Sequence, residues 1–293
     1  MGKIAVVTDS SANLPEELIQ QWEIHVVPAL LAFRGETFRD GQDVTPGELY
    51  RWLRTTRHIV TTSAPSIGDF VRVYATLGPQ VDGIVSIHPP PQLTVTYNTA
   101  VAASELVDEI AIQVVSSSGV AMSQGFVVLE AARTAATGAG LDAVLARAAE
   151  VARRVRLLAA IDTLEYLYRG GRIGAAANLL GTALQIKPIL YVADGNVHVF
   201  AKPRTKAKAM RLILEHVAEH AEGHRLHAAI VHADVPEEAE QLRQRIATEF
   251  GCAELYVTEF TPVMGAHTGP GLLGVAFYAE DGLNSQALEP SEP

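Results

Sequence analysis

The chain of 293 residues contains a single cysteine, Cys252. One thiol can form neither an internal disulfide nor a thiolate metal cluster, so a disulfide-stabilised domain is excluded. No apolar run reaches the roughly 18–20 residues that a membrane-spanning helix needs. The N-terminal residues also lack the charged head, apolar centre and cleavage site of a signal peptide. We therefore expect a cytoplasmic protein that makes at most transient contact with a membrane surface.

Basic residues are also few, because 23 Lys and Arg stand against 33 Asp and Glu, for a formal net charge of −10. Without a basic stripe, nucleic acid is not an expected partner. The P-loop, the G-x-G-x-x-G turn after the first strand, G-x-S-x-G and H-E-x-x-H are all absent. We therefore expect no cofactor and no metal. Hydrophobic residues make up 48% of the chain, which is enough for a sizeable core.

The first half alternates between strand-like and helix-like segments, which is typical of parallel β-α-β units. It is predicted to form an α/β domain over residues 1–156, with a mostly parallel sheet and flanking helices. The strand-like segments are residues 3–8, 24–31, 58–60, 82–88 and 111–115, and the helical segments are 46–56, 66–77, 94–108, 125–136 and 141–156.

The second half is predicted to form an α/β domain with a mixed sheet over residues 157–281, followed by a polar tail at 282–293. Asp194-Gly195 is a strong hairpin signal between two strand-like segments. The predicted strands are residues 157–161, 187–192, 197–200, 226–232, 255–257 and 272–278, and the predicted helices are a short one ending at 169, then 175–184, 203–220 and 236–250.

Two hydroxyl-rich segments stand near predicted helix starts. Thr62 and Ser63 lie in a predicted loop before a helix, and Thr94 with Thr96 opens the next helix. Helix N-termini present unpaired N–H groups, so hydroxyls beside them suit a carboxylate or another anion. The alternative interpretation is that these side chains only cap the helices.

Two glycine-containing loops carry the other candidates. Gly170-Gly171 precedes Arg172, whose planar guanidinium can pair with carboxylate or phosphate, although it also fits a surface arginine after a helix stop. His267 is predicted to lie in a constrained loop over residues 265–271, whereas His216, His220 and His224 are predicted to face solvent. A lone histidine is nevertheless more often structural than functional.

Asp9 and Ser10 follow the first strand, where open α/β sheets bind their ligands. Two alternatives therefore stay open beside simple helix capping. One is a hydrolase or phosphotransferase that uses Asp9, Ser10 and His267. The other is a regulator that binds a polar molecule in the cleft between the domains.

Eight short segments, taken together, resemble the DegV family of bacterial fatty-acid-binding proteins over residues 3–278. Each is weak alone, and the shared order and spacing carry the resemblance. The segments are residues 7–15, 39–41, 62–65, 96–100, 170–173, 186–190, 194–195 and 267–271.

The resemblance implies a two-domain α/β protein of the EDD fold that binds one long-chain fatty acid and has no catalytic activity of its own. It implies that the carboxyl group is held by Thr62, Ser63, Thr94 and His267, with the acyl chain in an apolar tunnel. Some family members present the acid to a separate ATP-dependent kinase subunit, which makes an acyl phosphate. The resemblance implies that Arg172 then contacts the phosphate or the partner.

The sequence departs from the family pattern in several places. Val95 stands where the family usually has glycine, Ser116-Ser117 replaces Asp-Ser, and Ala121 replaces a later serine. Thr94 stands in place of a serine and keeps the hydroxyl. We expect these changes to affect the kinase partnership and the identity of the ligand more than the fold.

Overall fold

The computed structural model describes residues 2–56, 58–180, 186–221 and 223–280. Within these ranges strands and helices alternate along much of the chain. The strands are β1 (Ile4–Asp9), β2 (His25–Val27), β3 (Leu30–Phe33), β4 (Glu36–Arg39), β5 (Thr61–Ser63), β6 (Gly83–His88), β7 (Ile112–Ser116), β8 (Arg156–Ala160), β9 (Ile189–Ala193), β10 (Asn196–Ala201), β11 (Leu226–His232), β12 (Cys252–Glu259) and β13 (Leu273–Ala279). The helices are α1 (Glu16–Gln21), α2 (Pro46–Thr55), α3 (Ile67–Leu77), α4 (Thr96–Ser104), α5 (Met122–Ala136), α6 (Leu141–Arg154), α7 (Glu165–Arg169), α8 (Lys206–Ala221), α9 (Pro236–Glu249) and α10 (Pro262–Thr268).

The first sheet contains four strands in the order β2-β1-β6-β7, and every neighbouring pair is parallel. This confirms the predicted parallel sheet of the first half. Because the strands are parallel, their carboxyl ends meet at one edge of the sheet. Asp9 at the end of β1, His88 at the end of β6 and Ser116 at the end of β7 share that edge.

A three-stranded antiparallel sheet, in the order β4-β3-β5, was not predicted. The single apolar run at residues 24–31 is divided between β2 and β3, and Pro28, which lacks the N–H that a central strand needs, lies between them. The strand predicted at 58–60 is displaced to β5, so Thr62 and Ser63 lie in an edge strand and not in a loop. Thr62 is paired with Leu31 of β3.

The mixed sheet of the second half has the order β10-β9-β8-β13-β11-β12 and confirms the prediction. Strands β11 and β12 are parallel, and the other neighbouring pairs are antiparallel. Alternation along β8 sends Leu158 and Ala160 into the core beneath α8, while Ala159 belongs to the cluster on the other face. The two faces of this sheet therefore pack against different parts of the molecule.

Helix α5 is buried continuously from Met122 to Ala132. The cause is its position, because it contacts β1 and β6 of the parallel sheet and also β8 and β13 of the mixed sheet. One buried apolar cluster thereby continues across residue 156, and the division into two domains at that residue stays a prediction. Within the described ranges, no helix is both long and apolar enough to cross a membrane.

Local signals placed several helix starts correctly. Thr45 and Glu48 form a capping box at α2, and Ser66 and Asp69 form another at α3. The helix predicted at 175–184 is a 3₁₀ helix over Gly174–Leu179, and residues 181–185 lie outside the described ranges, as does the predicted tail at 282–293. His216, predicted to face solvent, is buried.

Candidate functional site

A cavity of about 350 Å³ lies between the carboxyl edge of the parallel sheet and the inner face of the mixed sheet. This volume is in the range of small-molecule sites, roughly 300–1,000 Å³. Most of the lining is apolar and comes from the mixed sheet and the segments around α10. Its apolar residues include Leu157, Ala159, Leu190, Val192, Phe260 and Leu272.

The five residues singled out in the sequence, Thr62, Ser63, Thr94, Arg172 and His267, all line this cavity. Two of them are in direct contact, since Thr62 Oγ1 lies 2.7 Å from His267 Nε2. The structure corrects the predicted setting of His267, which lies in the last turn of α10 and not in a loop. Gly269, just after this helix, has a φ of 68°, so the chain turns sharply there.

The imidazole of His267 is neutral near pH 7, because burial, together with the charge of Arg172, lowers its pKa to about 4. Its Nδ1 atom is buried and has no hydrogen-bond partner among the described residues. A buried N–H without a partner is rarer than an unpaired acceptor, so we assign the proton to Nε2, which then donates to Thr62 Oγ1. The hydroxyl proton of Thr62 is left free for another acceptor.

Gly170 allows the end of α7 to approach His267. A Cβ atom at this position would overlap the His267 Nδ1 and would lie 3.1 Å from the carbonyl oxygen of Tyr166. Gly170 therefore has a packing role, whereas a Cβ at Gly171 would meet open space.

Helix α10 is held at its N-terminus by two polar side chains that sequence reasoning missed. Asp40 Oδ1 accepts a hydrogen bond from the backbone N–H of Val263 at 2.8 Å. Asn13 Oδ1 accepts from the N–H of Thr261 at 2.8 Å, and its Nδ2 donates to Thr258 Oγ1 at 2.7 Å. Asn13 has a left-handed backbone, with a φ of 57°, which asparagine tolerates better than most residues. These contacts fix the helix that carries His267.

Arg172 is exposed at the cavity wall and is held by backbone oxygens. Its Nη1 donates to the carbonyl oxygen of Gly170 at 2.7 Å, and its Nε donates to that of Leu93 at 3.4 Å. It has no carboxylate partner within the part of the chain that the structure describes. Its charge is therefore available to an anion at the mouth of the cavity.

The remaining two candidates contact the ligand space less directly. Ser63 is exposed, and its hydroxyl has no hydrogen-bond partner among the described residues. Thr94 is half-buried, and its hydroxyl oxygen lies 2.9 Å from that of Thr96, within hydrogen-bond distance.

Val95, which departs from the family pattern, lies at the rim of the cavity and is 61% exposed. Ser116, which stands where the family has aspartate, accepts a hydrogen bond from the backbone N–H of Ser118 at 3.2 Å.

Asp9 and His267 of the alternative catalytic set both line the cavity, but Asp9, Ser10 and His267 are not hydrogen-bonded to one another. The Asp9 carboxylate accepts from His88 Nδ1 at 2.7 Å, and Ser10 Oγ accepts from the N–H of Ala29 at 3.1 Å. His267 contacts Thr62 instead. Each member of the set is therefore engaged with a different partner.

A serine, a histidine and an aspartate do lie in series, and the aspartate, Asp9, lines the cavity. Ser86 Oγ is 2.7 Å from His88 Nε2, and His88 Nδ1 is 2.7 Å from Asp9 Oδ2. Ser86 is fully buried, however, and its oxygen accepts a hydrogen bond from Tyr74 at 2.7 Å. A nucleophile must be open to its substrate, so this arrangement supports a structural network and not a catalytic triad.

Comparison with known proteins gives matches over nearly the whole chain. A family model described as uncharacterised protein, DegV family, matches residues 3–280. A DegV domain-containing protein from Streptomyces coelicolor is 37% identical over 274 residues, which cover 93% of this chain and 97% of that protein. Protein DegV from Bacillus subtilis is 34% identical over 276 residues, covering 94% of this chain and 98% of that protein.

Solved structures are similar over the same extent. One, described as fatty acid binding of a DegV family protein from Thermus thermophilus, has a TM-score of 0.90 at 33% identity and covers 95% of this chain and 100% of that chain. The crystal structure of DegV from Bacillus subtilis, described as a fatty acid binding protein, has a TM-score of 0.89 at 33% identity and covers 96% of this chain and 100% of that chain.

Proposed function

The chain belongs to the DegV family, and we propose that it binds one long-chain fatty acid in the cavity between its two larger sheets. The observation that carries the proposal is a largely apolar cavity that contains the hydrogen-bonded pair of Thr62 and His267. A fatty acid has the matching two parts, an aliphatic tail and one acidic group. The relatives from Thermus thermophilus and Bacillus subtilis that are described as binding fatty acid support the same conclusion.

Burial of the tail supplies most of the binding free energy in this proposal. Each buried methylene contributes ~0.8 kcal/mol, so a sixteen-carbon tail gains roughly 12 kcal/mol before the costs of association. A hydrogen bond to a carboxylate contributes only about 1.5–3 kcal/mol. A small polar ligand would leave most of the apolar lining without a contact. The cavity therefore favours a lipid over the polar molecule that a regulatory protein would bind.

The polar residues set the orientation of the ligand. The free hydroxyl proton of Thr62 donates to a carboxylate oxygen, and Ser63 and Thr94 supply further hydroxyls on the same cavity. His267 does not become charged but holds the Thr62 hydroxyl in place through Nε2. An unpaired buried carboxylate would be costly, so these donors determine which end of the lipid lies here.

The proposal is tested by filling the cavity. Leu157→Trp adds bulk to the apolar lining, and Val257→Trp places the same side chain at an exposed position outside it. Delipidated wild-type protein and the Val257 variant should bind one equivalent of palmitic acid in calorimetric titration, whereas the Leu157 variant should lose most of this affinity. Thermal unfolding checks that both variants are folded. Equal binding by folded Leu157→Trp protein would place the acid elsewhere.

The proposal extends to a second protein, a separate ATP-dependent fatty acid kinase subunit. In that reaction a carboxylate oxygen of the bound acid attacks the γ-phosphorus of ATP, ADP leaves, and an acyl phosphate forms. Support comes from Arg172, whose guanidinium is exposed beside the cavity and donates only to backbone oxygens among the described residues. Its planar donor groups suit the oxygens of a transferring phosphoryl group.

The partner reaction has its own test. Arg172→Gln should retain palmitic acid at the wild-type stoichiometry but lose acyl phosphate formation when ATP and a fatty acid kinase subunit are supplied. Arg169→Gln, a change at an exposed arginine paired with Glu165, serves as the matched control. Acyl phosphate is trapped with hydroxylamine and measured as the hydroxamate. Equal product from wild type and the Arg172 variant would remove this residue from the reaction.

A further inference from the structure

Helix α8 carries the sequence His-Val-Ala-Glu-His at residues 216–220. On a helix the first, fourth and fifth of these positions lie on one side, so His216, Glu219 and His220 are neighbours. One nitrogen or oxygen ligand atom from each of the three lies within 4.8 Å of the others. The site combines a buried histidine, a half-buried histidine and an exposed carboxylate, and it is therefore open to solvent on one side.

The distance between the first two ligand atoms suits a shared ion. His216 Nδ1 lies 3.6 Å from Glu219 Oε2, which is too long for a hydrogen bond. Two ligands of a tetrahedral zinc ion, each about 2.0–2.2 Å from the metal, are separated by about 3.4 Å. Glu219 is exposed, so its side chain can adjust without disturbing the core.

The hydrogen bonding of His220 also suits a metal site. His220 Nδ1 lies 2.9 Å from the carbonyl oxygen of His216 and can donate to it, which leaves Nε2 as the free ligand atom. Metal-binding histidines commonly orient the ring in this way.

The second group of metal-ligating side chains, Glu130 with His227 and Glu254, is excluded by its contacts. Arg133 donates to both carboxylates, and Arg147 donates to Glu130. Two guanidinium groups therefore already supply the positive charge that a metal would bring.

We propose that His216, Glu219 and His220 form a binding site for a divalent transition metal of the zinc class, with water in the remaining position. Two imidazoles and one carboxylate suit Zn²⁺, Co²⁺ or Ni²⁺ better than Mg²⁺ or Ca²⁺, which prefer oxygen ligands.

The metal site is separate from the lipid cavity. His216 packs its ring against Phe200 and Phe277, on the face of the mixed sheet that α8 covers. The cavity lies on the opposite face, lined by Leu157 and Ala159. The metal proposal therefore does not depend on the proposed lipid binding.

Calorimetric titration of chelator-treated protein with ZnCl₂ tests the site. Wild type should bind one equivalent of Zn²⁺, and its unfolding temperature should rise with added zinc because only the folded chain assembles the three ligands. His220→Gln and Glu219→Gln alter residues that are not fully buried, and each should weaken zinc binding by at least about tenfold. His224→Gln, at an exposed histidine just beyond α8, should leave it unchanged.

Three results would overturn the site: no saturable binding of one equivalent by wild type, unchanged binding in both ligand variants, or loss of binding in His227→Gln while His220→Gln retains it. Palmitic acid binding should be the same in wild type and His220→Gln. That second titration distinguishes failure of the metal site from failure of the lipid site.

Discussion

His267 Nε2 lies 2.7 Å from Thr62 Oγ1, although 205 positions of the chain separate the two residues. The contact joins α10 to the edge strand β5 and forms part of the cavity wall. A neutral imidazole that donates to the threonine leaves the hydroxyl proton free. The pair can therefore present a hydrogen-bond donor to a ligand without placing a charge in an apolar cavity.

Thr62→Val should weaken palmitic acid binding by at least about tenfold, because one hydrogen bond to a carboxylate is worth about 1.5–3 kcal/mol. Thr61→Val is the matched control, since Thr61 is exposed on the same strand and does not line the cavity. Titration calorimetry on delipidated protein measures both. If the two variants bind equally well, Thr62 does not contact the acid.

Gly170→Ala should reduce palmitic acid binding, because the added methyl group would displace His267 from Thr62. Gly47→Ala is the control, since a Cβ at that position meets open space. Binding is measured by titration, and the environment of His267 is followed through its imidazole ¹H–¹⁵N signals. Unshifted His267 signals in the Gly170 variant would show that the close approach has no consequence.

Asn13→Ala should lower the free energy of unfolding by about 2–4 kcal/mol, because it removes one buried and one partly buried hydrogen bond and places alanine in a left-handed conformation. Asp194→Ala should cost only about 1 kcal/mol, since Asp194 shares the positive φ but is exposed in a turn. Urea unfolding measures the loss of stability in each variant, and the difference between the two losses gives the contribution of the Asn13 hydrogen bonds. Equal losses would mean that the anchoring of α10 contributes nothing.

Stability should depend on the ionisation of His267 between about pH 6.5 and 4. Burial lowers its folded-state pKa to about 4, so within this window the unfolded chain binds more protons. Its contribution is complete above pH 6.5 and is lost as the pH falls, with a slope of up to about 1.4 kcal/mol per pH unit. Asp40 acts in the opposite direction, because burial raises its pKa to about 6.

The contribution of His267 is therefore measured as a difference between proteins. Urea unfolding of wild type and His267→Gln at intervals from pH 6.5 to 5 should give a shallower loss of stability on acidification for the variant. His224→Gln, at an exposed histidine, should follow wild type. Parallel curves for wild type and His267→Gln would show that this imidazole titrates normally in the folded protein.

Much of the fold could be predicted because local signals agreed with it. The apolar runs of β1, β6 and β7, with helices between them, determined the parallel sheet, and Asp194-Gly195 marked the hairpin between β9 and β10. The antiparallel sheet was missed because β2 and β3 read as one apolar run. The interruption at Pro28 was the available signal.

The site could be predicted only in part. The hydroxyl side chains and His267 could be identified in the sequence by their chemistry, and in the structure they line one cavity. Their role in binding a carboxyl group stays a prediction. The apolar residues of the cavity wall had no signal in the sequence that sets them apart from core residues. Ala159 lines the cavity, whereas its neighbour Leu158 in the same strand packs in the core. Asn13 and Asp40 act on residues more than 200 positions away, and no local pattern identifies such contacts.

Mass spectrometry of the organic extract from denatured protein, purified without added lipid from a bacterial host, tests the central claim most directly. We expect about one long-chain fatty acid per chain, and a clear loss of this signal in Leu157→Trp but not in Val257→Trp. Repeated extracts of folded wild-type protein that contain no stoichiometric acyl chain, while delipidated protein also fails to take up palmitic acid, would contradict it.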